Sequence, residues 1–218
     1  MSEETEPSGL AALGALRADY GERPFDDAHA HPLAQFERWL ADALRDEDGE
    51  PNAMTLATVR EDGTPDARVV LLRGCDRHGL VFYTNYESCK GKQLASNPAV
   101  TLVFYWSGAN RQVRIDGRAE RVSAAESDAY FATRPRGHQV SAWASEQSAT
   151  LAGRHVIEER AHDIVERFPG DIPRPEQWGG YRVVPISFEF WQGRRDRFHD
   201  RIRYRRTEAS WHMERLAP

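Results

Sequence analysis

"YRVVPISFEFWQGRRDRFHDRIRYRR", residues 181–206, holds the decision about the fold. Two runs within it, "YRVVPISFEFW" (181–191) and "RFHDRIRYRR" (197–206), read as consecutive strands rich in β-branched and aromatic residues. Side chains of a strand alternate between its faces. Arg197, His199, Arg201, Arg203 and Arg205 therefore share one face, and Phe198, Ile202 and Tyr204 the other, with Asp200 the exception. Seven arginines fall within residues 190–206 of a chain whose net charge is −5. Such a face is either solvated or built to hold an anion. At roughly 3.3 Å per residue the stripe runs about 26 Å. Only its first part can line a compact pocket, and residues 203–206 are expected to be solvated or at an interface.

Working outward, further strands are expected at "AMTLATV" (53–59), "ARVVLLR" (67–73), "GLVFYTN" (79–85), "AVTLVFYW" (99–106), "RQVRIDGRAERV" (111–122) and "SWHMERL" (210–216). Asp62-Gly63 marks a hairpin between the first two. In "HPLAQFERWLADALRDE" (31–47), Leu33, Phe36, Leu40 and Leu44 form one helical stripe, with Pro32 suited to the first turn. Ser123 and Glu126 form a capping box that opens a helix through Tyr130, ending before Pro135. A longer helix is expected over about 151–168, with Val156, Ile157, Ile164, Val165 and Phe168 as its apolar set. A short one is expected within residues 10–20, weakened by Gly14. The helices come in blocks and do not alternate with strands, which argues against a doubly wound sheet. The fold class is mainly β with packed helices (α+β), an antiparallel barrel.

The 218 residues suit a single domain over 17–218 preceded by a flexible segment, 1–16. The acidic balance is a poor match for a nucleic-acid binder. No apolar run approaches the roughly 20 residues of a membrane helix. The start, "MSEETEPSG", has no apolar core, so the expected compartment is the cytoplasm. Cys75 and Cys89 form no CxxC motif and read as structural or incidental. Nucleotide-binding glycine loops, a G-x-S-x-G elbow and H-E-x-x-H are all missing. His29 and His31 read as surface residues, and no metal is expected.

Anion-binding groups also gather elsewhere: Arg68 and Arg73, then Lys90, then Tyr130, Arg134 and His138. Arginine's planar fork suits phosphate. Lys90 and Lys92 are the only lysines among 29 basic residues.

These segments, in order, carry a resemblance. "EPNAMTLATV", "RVVLLR", "VFYTNYESCKGKQ", "RQVRIDGRAERVS", "YFATRPRGHQ", "WASEQS", "WGGYRV", "EFWQG", "RFHDRI" and "RLAP" resemble the pyridoxamine 5'-phosphate oxidase family from about Arg17 to Pro218. The resemblance implies a split β-barrel that binds FMN, a homodimer with the flavin at the subunit interface, and no nucleic-acid or membrane partner. It implies oxidation of pyridoxamine or pyridoxine 5'-phosphate to pyridoxal 5'-phosphate. A hydride passes to the flavin, and oxygen reoxidises it to give hydrogen peroxide. The implied FMN site is Arg68, Val69, Val70, Leu71, Leu72, Arg73, Tyr83, Thr84, Lys90, Gln112, Gln147, Ser148, Trp191 and Arg201, with Arg68 and Lys90 on the phosphate. The implied substrate site is Arg73, Tyr130, Arg134 and His138 on the phosphate, with Arg197 and His199 as catalytic residues holding the pyridine ring. Arg17 and Tyr20 would cover it. Three positions depart from the commonest family form. Arg73 stands where lysine is usual, Cys89 where many members have arginine, and His138 where serine often sits. A related split-barrel flavin oxidoreductase with another substrate, and a non-enzymatic binder of phosphorylated ligands or nucleic acid, are the alternatives.

Overall fold

The computed structural model describes residues 20–21, 24–46 and 49–218. The helix expected within 10–20, the 1–16 segment and Arg17 lie outside the described residues. Nine antiparallel strands form one curled sheet: β1 (Ala53–Val59), β2 (Pro65–Leu71), β3 (Gly74–Asp76), β4 (Gly79–Asn85), β5 (Ala99–Trp106), β6 (Arg111–Arg121), β7 (Trp178–Gln192), β8 (Asp200–Arg206) and β9 (Trp211–Leu216). The order is β2-β1-β5-β6-β7-β4-β3, with β8 on β7 and β9 on β8. Helices α1 (Pro32–Asp46), α2 (Cys89–Ser96), α3 (Ala124–Ala132), α4 (Arg136–Ala144) and α5 (Arg154–Arg167) pack around it. The class is α+β with an antiparallel split barrel. Among the described residues no helix is long and apolar enough to cross a membrane.

β7 holds the barrel together. Its first part pairs with β4 from Trp178 to Val183, and its second with β8 from Ser187 to Gln192. From Tyr181 to Gln192 its other edge pairs with β6, with a bulge between Asp116 and Gly117. A Cβ on Gly117 would lie 2.6 Å from the Val184 carbonyl oxygen, so the bulge needs a bare backbone there.

Inward-facing Leu56, Leu102, Phe104, Val113, Ile115, Phe188 and Phe190 are buried and form the core with Phe36 and Trp39 of α1. The stripe expected on α1 is turned. Leu44 is 62% exposed, while Trp39 and Ala43 are buried in its stead. A second cluster joins Phe131, Val140, Ile172 and Trp178 under α3 and α4.

Strand β8 begins at Asp200, later than expected. Arg195–Arg197 form a 3-10 turn, and Asp196 and Arg197 both have positive φ, at 53° and 61°. A left-handed pair breaks the alternation, so the single basic face does not extend to Arg197 and His199. Phe198, expected on the apolar face, is 73% exposed. From Arg201 onward the alternation holds, but carboxylates of neighbouring strands neutralise it. Arg201 pairs with Glu189, and Arg203 and Arg205 pair with Glu214.

Candidate active site

The expected residues fall into two groups. The first lines a cleft of ≈ 850 Å³ between β2, β4, α2, α3 and α4. Val69, Val70, Leu71 and Arg73 form one wall, Tyr83, Thr84 and Lys90 the floor, and Tyr130, Arg134, His138 and Gln147 the far side. Gly180 makes room for Tyr83, whose Cε1 would be 2.8 Å from a Cβ there.

Helix α2, which sequence patterning missed, delivers Lys90. Ser88 caps it, its side chain accepting from the Gly91 N–H. Lys90 is buried, and its Nζ donates to Thr84 Oγ1 (3.2 Å), Ser88 Oγ (3.3 Å) and Gln147 Oε1 (3.1 Å). All three acceptors are neutral. Burial, then the charge of Arg68, pulls its pKa below the usual lysine value. Arg134 is similar. One of its terminal nitrogens is buried without a hydrogen-bond partner among the described residues, and burial lowers its pKa. A buried lysine and a half-buried arginine, supported only by neutral groups, suit bound anions, because a charge removed from water must be compensated.

Some expected residues stand beside the cleft. Ser148 lines an adjoining recess of ≈ 410 Å³ with Cys89, whose N–H donates to Ser148 Oγ at 3.3 Å. The Arg68 guanidinium pairs with Asp66 at 2.8 Å, and the Leu72 side chain is buried in the core.

The second group lies where β6, β7 and β8 run side by side. Tyr105, Gln112, Trp191, Arg201 and Leu216 stand in register across five strands. Tyr20 packs edge-on against Trp191 (5.7 Å between centroids) and His199 (5.3 Å). Trp191 and His199 are 4.7 Å apart. His199 Nδ1 accepts from the Arg194 N–H at 3.0 Å, so the neutral ring carries its proton on Nε2. Burial, then the charge of Arg197, lowers the His199 pKa. Buried Glu189 fixes Arg201, accepting at 2.8 and 3.0 Å, and takes Arg114 on its other oxygen at 2.9 Å.

The two groups do not meet within one chain. Arg134 lines the cleft and Arg197 does not. Trp178 in the cleft and Trp191 in the second group stand on the same strand, thirteen residues apart along β7. That is about 40 Å of strand contour at roughly 3.3 Å per residue. Sequence reading missed Trp178, Glu189 and Asp200 as site residues. Asp200 had left a signal, a carboxylate on an otherwise apolar face.

Comparison with known proteins accounts for the division. Residues 40–167 match the family described as pyridoxamine 5'-phosphate oxidase. Residues 178–218 match the pyridoxine 5'-phosphate oxidase C-terminal dimerisation region. The pyridoxine/pyridoxamine 5'-phosphate oxidase of Burkholderia lata is 52% identical over 214 residues, 96% of this chain and 100% of that protein. Its counterpart from Burkholderia ambifaria is 51% identical over the same shares. The crystal structure of PhzG from Burkholderia lata, in complex with tetrahydrophenazine-1-carboxylic acid, superposes with a TM-score of 0.86 at 31% identity, covering 91% of this chain and 99% of that one. A cleft with two cations that no carboxylate neutralises, a second group set on the region matched as dimerising, and half-identity over nearly the whole length point one way: the chain belongs to the pyridoxine/pyridoxamine 5'-phosphate oxidase family.

Proposed function

We propose that the protein oxidises pyridoxamine 5'-phosphate and pyridoxine 5'-phosphate to pyridoxal 5'-phosphate, with FMN as cofactor and oxygen as electron acceptor, and that it works as a homodimer. The observation that carries this reading is a pair of cations in one cleft, buried Lys90 and half-buried Arg134, each without a carboxylate partner among the described residues. Two phosphate esters, one on the flavin and one on the substrate, give each cation an anion. Half-identity to oxidases of these substrates accords with the assignment. Two free thiols, Cys75 and Cys89, accord with a reducing cytoplasm.

In this reading Lys90 and Arg68 hold the flavin phosphate, close to Ser148 and the N-terminus of α2. Val69, Val70, Leu71, Tyr83, Thr84 and Gln147 border the flavin along the cleft wall. Arg134, Arg73, Tyr130 and His138 hold the substrate phosphate. The other copy of the chain contributes Gln112, Trp191 and Arg201 to the flavin, and Arg197, His199 and Tyr20 to the pyridine ring. Bound FMN would supply the redox chemistry, as two-electron acceptor for the substrate's exocyclic carbon with oxygen as the final acceptor. The chain's own work is orientation, since clamping one phosphate and confining the ring removes entropy from the barrier. Neutral His199 presents Nε2–H as a donor, and Arg197 adds fixed positive charge beside it.

The test is the visible spectrum of the purified protein, followed by anaerobic addition of pyridoxamine 5'-phosphate. A bound flavin that bleaches with the phosphorylated amine, and far more slowly with pyridoxamine, supports the reading. A colourless protein, or a flavin bleached only by a partly reduced tricyclic carboxylate of the kind seen with PhzG, overturns it.

Two variants probe its parts. Arg197→Met is expected to raise the His199 pKa, because it removes a nearby positive charge that favours the neutral ring. Burial and Arg197 together hold the wild-type ring below the usual histidine value, and the variant should stay below it too, since burial remains the larger cause. NMR titration of the ring checks this, and an unmoved midpoint contradicts it. Cys89→Arg restores a cation at the first position of α2, beside Ser148. It should tighten FMN binding about tenfold, or about 1.4 kcal/mol. Equal affinity on flavin titration of the two apoproteins counts against the phosphate placement.

A further inference from the structure

We infer that Trp178 is the positioning residue for substrate phosphate: its indole face holds the Arg134 guanidinium charged and uncommitted, and so sets the preference for phosphorylated substrates. This rests on the reading of the cleft as a phosphate-ester site, and adds to it the residue that tunes it.

The Arg134 guanidinium carbon lies 4.4 Å from the centroid of Trp178 and 5.5 Å from that of Phe131. Trp178 and Phe131 meet edge to face at 5.2 Å, forming two sides of an aromatic corner around the cation. Trp178 also lies nearly parallel to Tyr130 (6.2 Å, 5°) and Tyr83 (5.5 Å, 11°), and Tyr83 and Tyr130 stack at 3.9 Å. Tyr130 therefore has its close ring partner in Tyr83, and Arg134 has its own in Trp178.

The backbone fixes that ring in place. The Trp178 N–H donates to the Pro175 carbonyl at 3.0 Å, and its own carbonyl accepts from Arg174 at 2.6 Å. Arg174 also pairs with Asp128 at 2.7 Å. Asp128 lies on α3, the helix that carries Tyr130, so the platform and the hydroxyl above it are tied together.

The choice of support matters chemically. Elsewhere in the chain arginines are held by carboxylates, as Arg201 is by Glu189 and Arg203 by Glu214. A carboxylate partner would occupy the donors that a phosphate needs and would repel the incoming dianion. An aromatic face attracts the cation through its quadrupole and leaves the N–H groups in the ring plane's exterior free to donate. The buried nitrogen of Arg134 that has no partner is the donor so preserved. Arg73, whose charge is felt at Arg134, stands on the same cleft as the second cation.

The test compares flavin-loaded wild type, Trp178→Leu, Trp178→Phe, Arg134→Gln and the Trp178→Leu/Arg134→Gln double variant. Trp178→Leu is expected to raise KM for pyridoxamine 5'-phosphate about tenfold, the scale of a desolvated cation–π contact. Its kcat and its FMN dissociation constant should change less than about twofold, as expected for loss of ground-state positioning. KM for unphosphorylated pyridoxamine should not move, and Trp178→Phe, which keeps a π face, should recover most of the loss. In the Arg134→Gln background Trp178→Leu should add almost nothing, because the cation it served is gone.

An unchanged KM in Trp178→Leu overturns the inference. So does an equal rise for both amines, or a full tenfold effect in the absence of Arg134. If Trp178→Leu fails to retain flavin, Trp178→Met, which fills the volume without a π face, is held to the same criteria. Wild type that does not turn over pyridoxamine 5'-phosphate overturns the cleft reading itself, whereas wild-type turnover with a silent Trp178→Leu removes only the role of Trp178.

Discussion

Replacing Lys90 with methionine is expected to weaken FMN binding roughly 30- to 150-fold without lowering the thermal stability of the apoprotein. The two halves of this result have one cause. The Nζ of Lys90 is buried among Thr84, Ser88 and Gln147, which solvate it but do not neutralise it. Burial disfavours its charged form, as the lowered pKa records. In the apoprotein this charge is therefore a liability, and an apolar side chain of similar length removes it. Ser88 keeps its other bonds, accepting from Gly91 and donating to the Asn85 carbonyl. With flavin bound, the same charge meets a phosphate, and a charge-assisted hydrogen bond contributes about 1.5–3 kcal/mol. Converted at about 1.4 kcal/mol per decade, the upper part of that range gives the expected loss. Flavin fluorescence titration and apoprotein melting together check it. A melting point that falls along with affinity would make Lys90 a structural residue and not a phosphate ligand.

The second large effect is expected at Asp200. Its buried carboxylate accepts from the Phe25 N–H at 3.2 Å and from Arg194 at 3.1 Å, and forms an ion pair with Arg215. Arg194 begins the turn that carries Arg197, and its N–H sets the His199 ring. Arg215 lies on β9, and Phe25 on the segment leading to α1. One side chain thus ties three parts of the chain behind the second half-site. Asp200→Ala should destabilise the fold by about 3–5 kcal/mol, as removal of one partner from a buried charged network does. For a chain of this size that is a fall in melting temperature of roughly 6–20 °C. Asp200→Asn, which keeps some acceptors, should lose less. Calorimetry decides, and a shift under about 2 °C for Asp200→Ala, corresponding to less than about 1 kcal/mol, would show the network to be dispensable.

The fold was legible wherever residues alternate cleanly. β4 and β5 begin and end where the pattern "GLVFYTN" and "AVTLVFYW" do, and the Ser123 cap opens α3 as its capping signal indicates. The short helices α2 and α4 left little trace, since eight or nine residues carry barely two turns of periodicity and α2 includes Gly91. On α1 the stripe was turned because Trp39 and Ala43 took the buried positions assigned to Leu44. The turn at 195–197 was illegible for a different reason. Asp196 and Arg197 adopt a conformation that favours glycine, and nothing in their identity announces it. Of the site, the cationic residues were visible as types, and the family segments gave their grouping. What stayed hidden was their support: the aromatic face under Arg134 comes from a strand distant in sequence, and the carboxylates under Arg201 and Arg203 come from neighbouring strands whose register single-strand alternation does not give.

Strand β7 has a consequence for how this architecture can vary. It presents Trp178 to one half-site and Trp191 to the other, and it is held by β4 from Trp178 to Val183 and by β6 from Tyr181 to Gln192. The spacing between the two half-sites is thereby set by counting residues along a single hydrogen-bonded ruler, whatever side chains it bears. Gain or loss of one residue would swap inward and outward faces beyond that point. Substitutions can retune either half-site, but insertions and deletions are confined to the connections outside this strand.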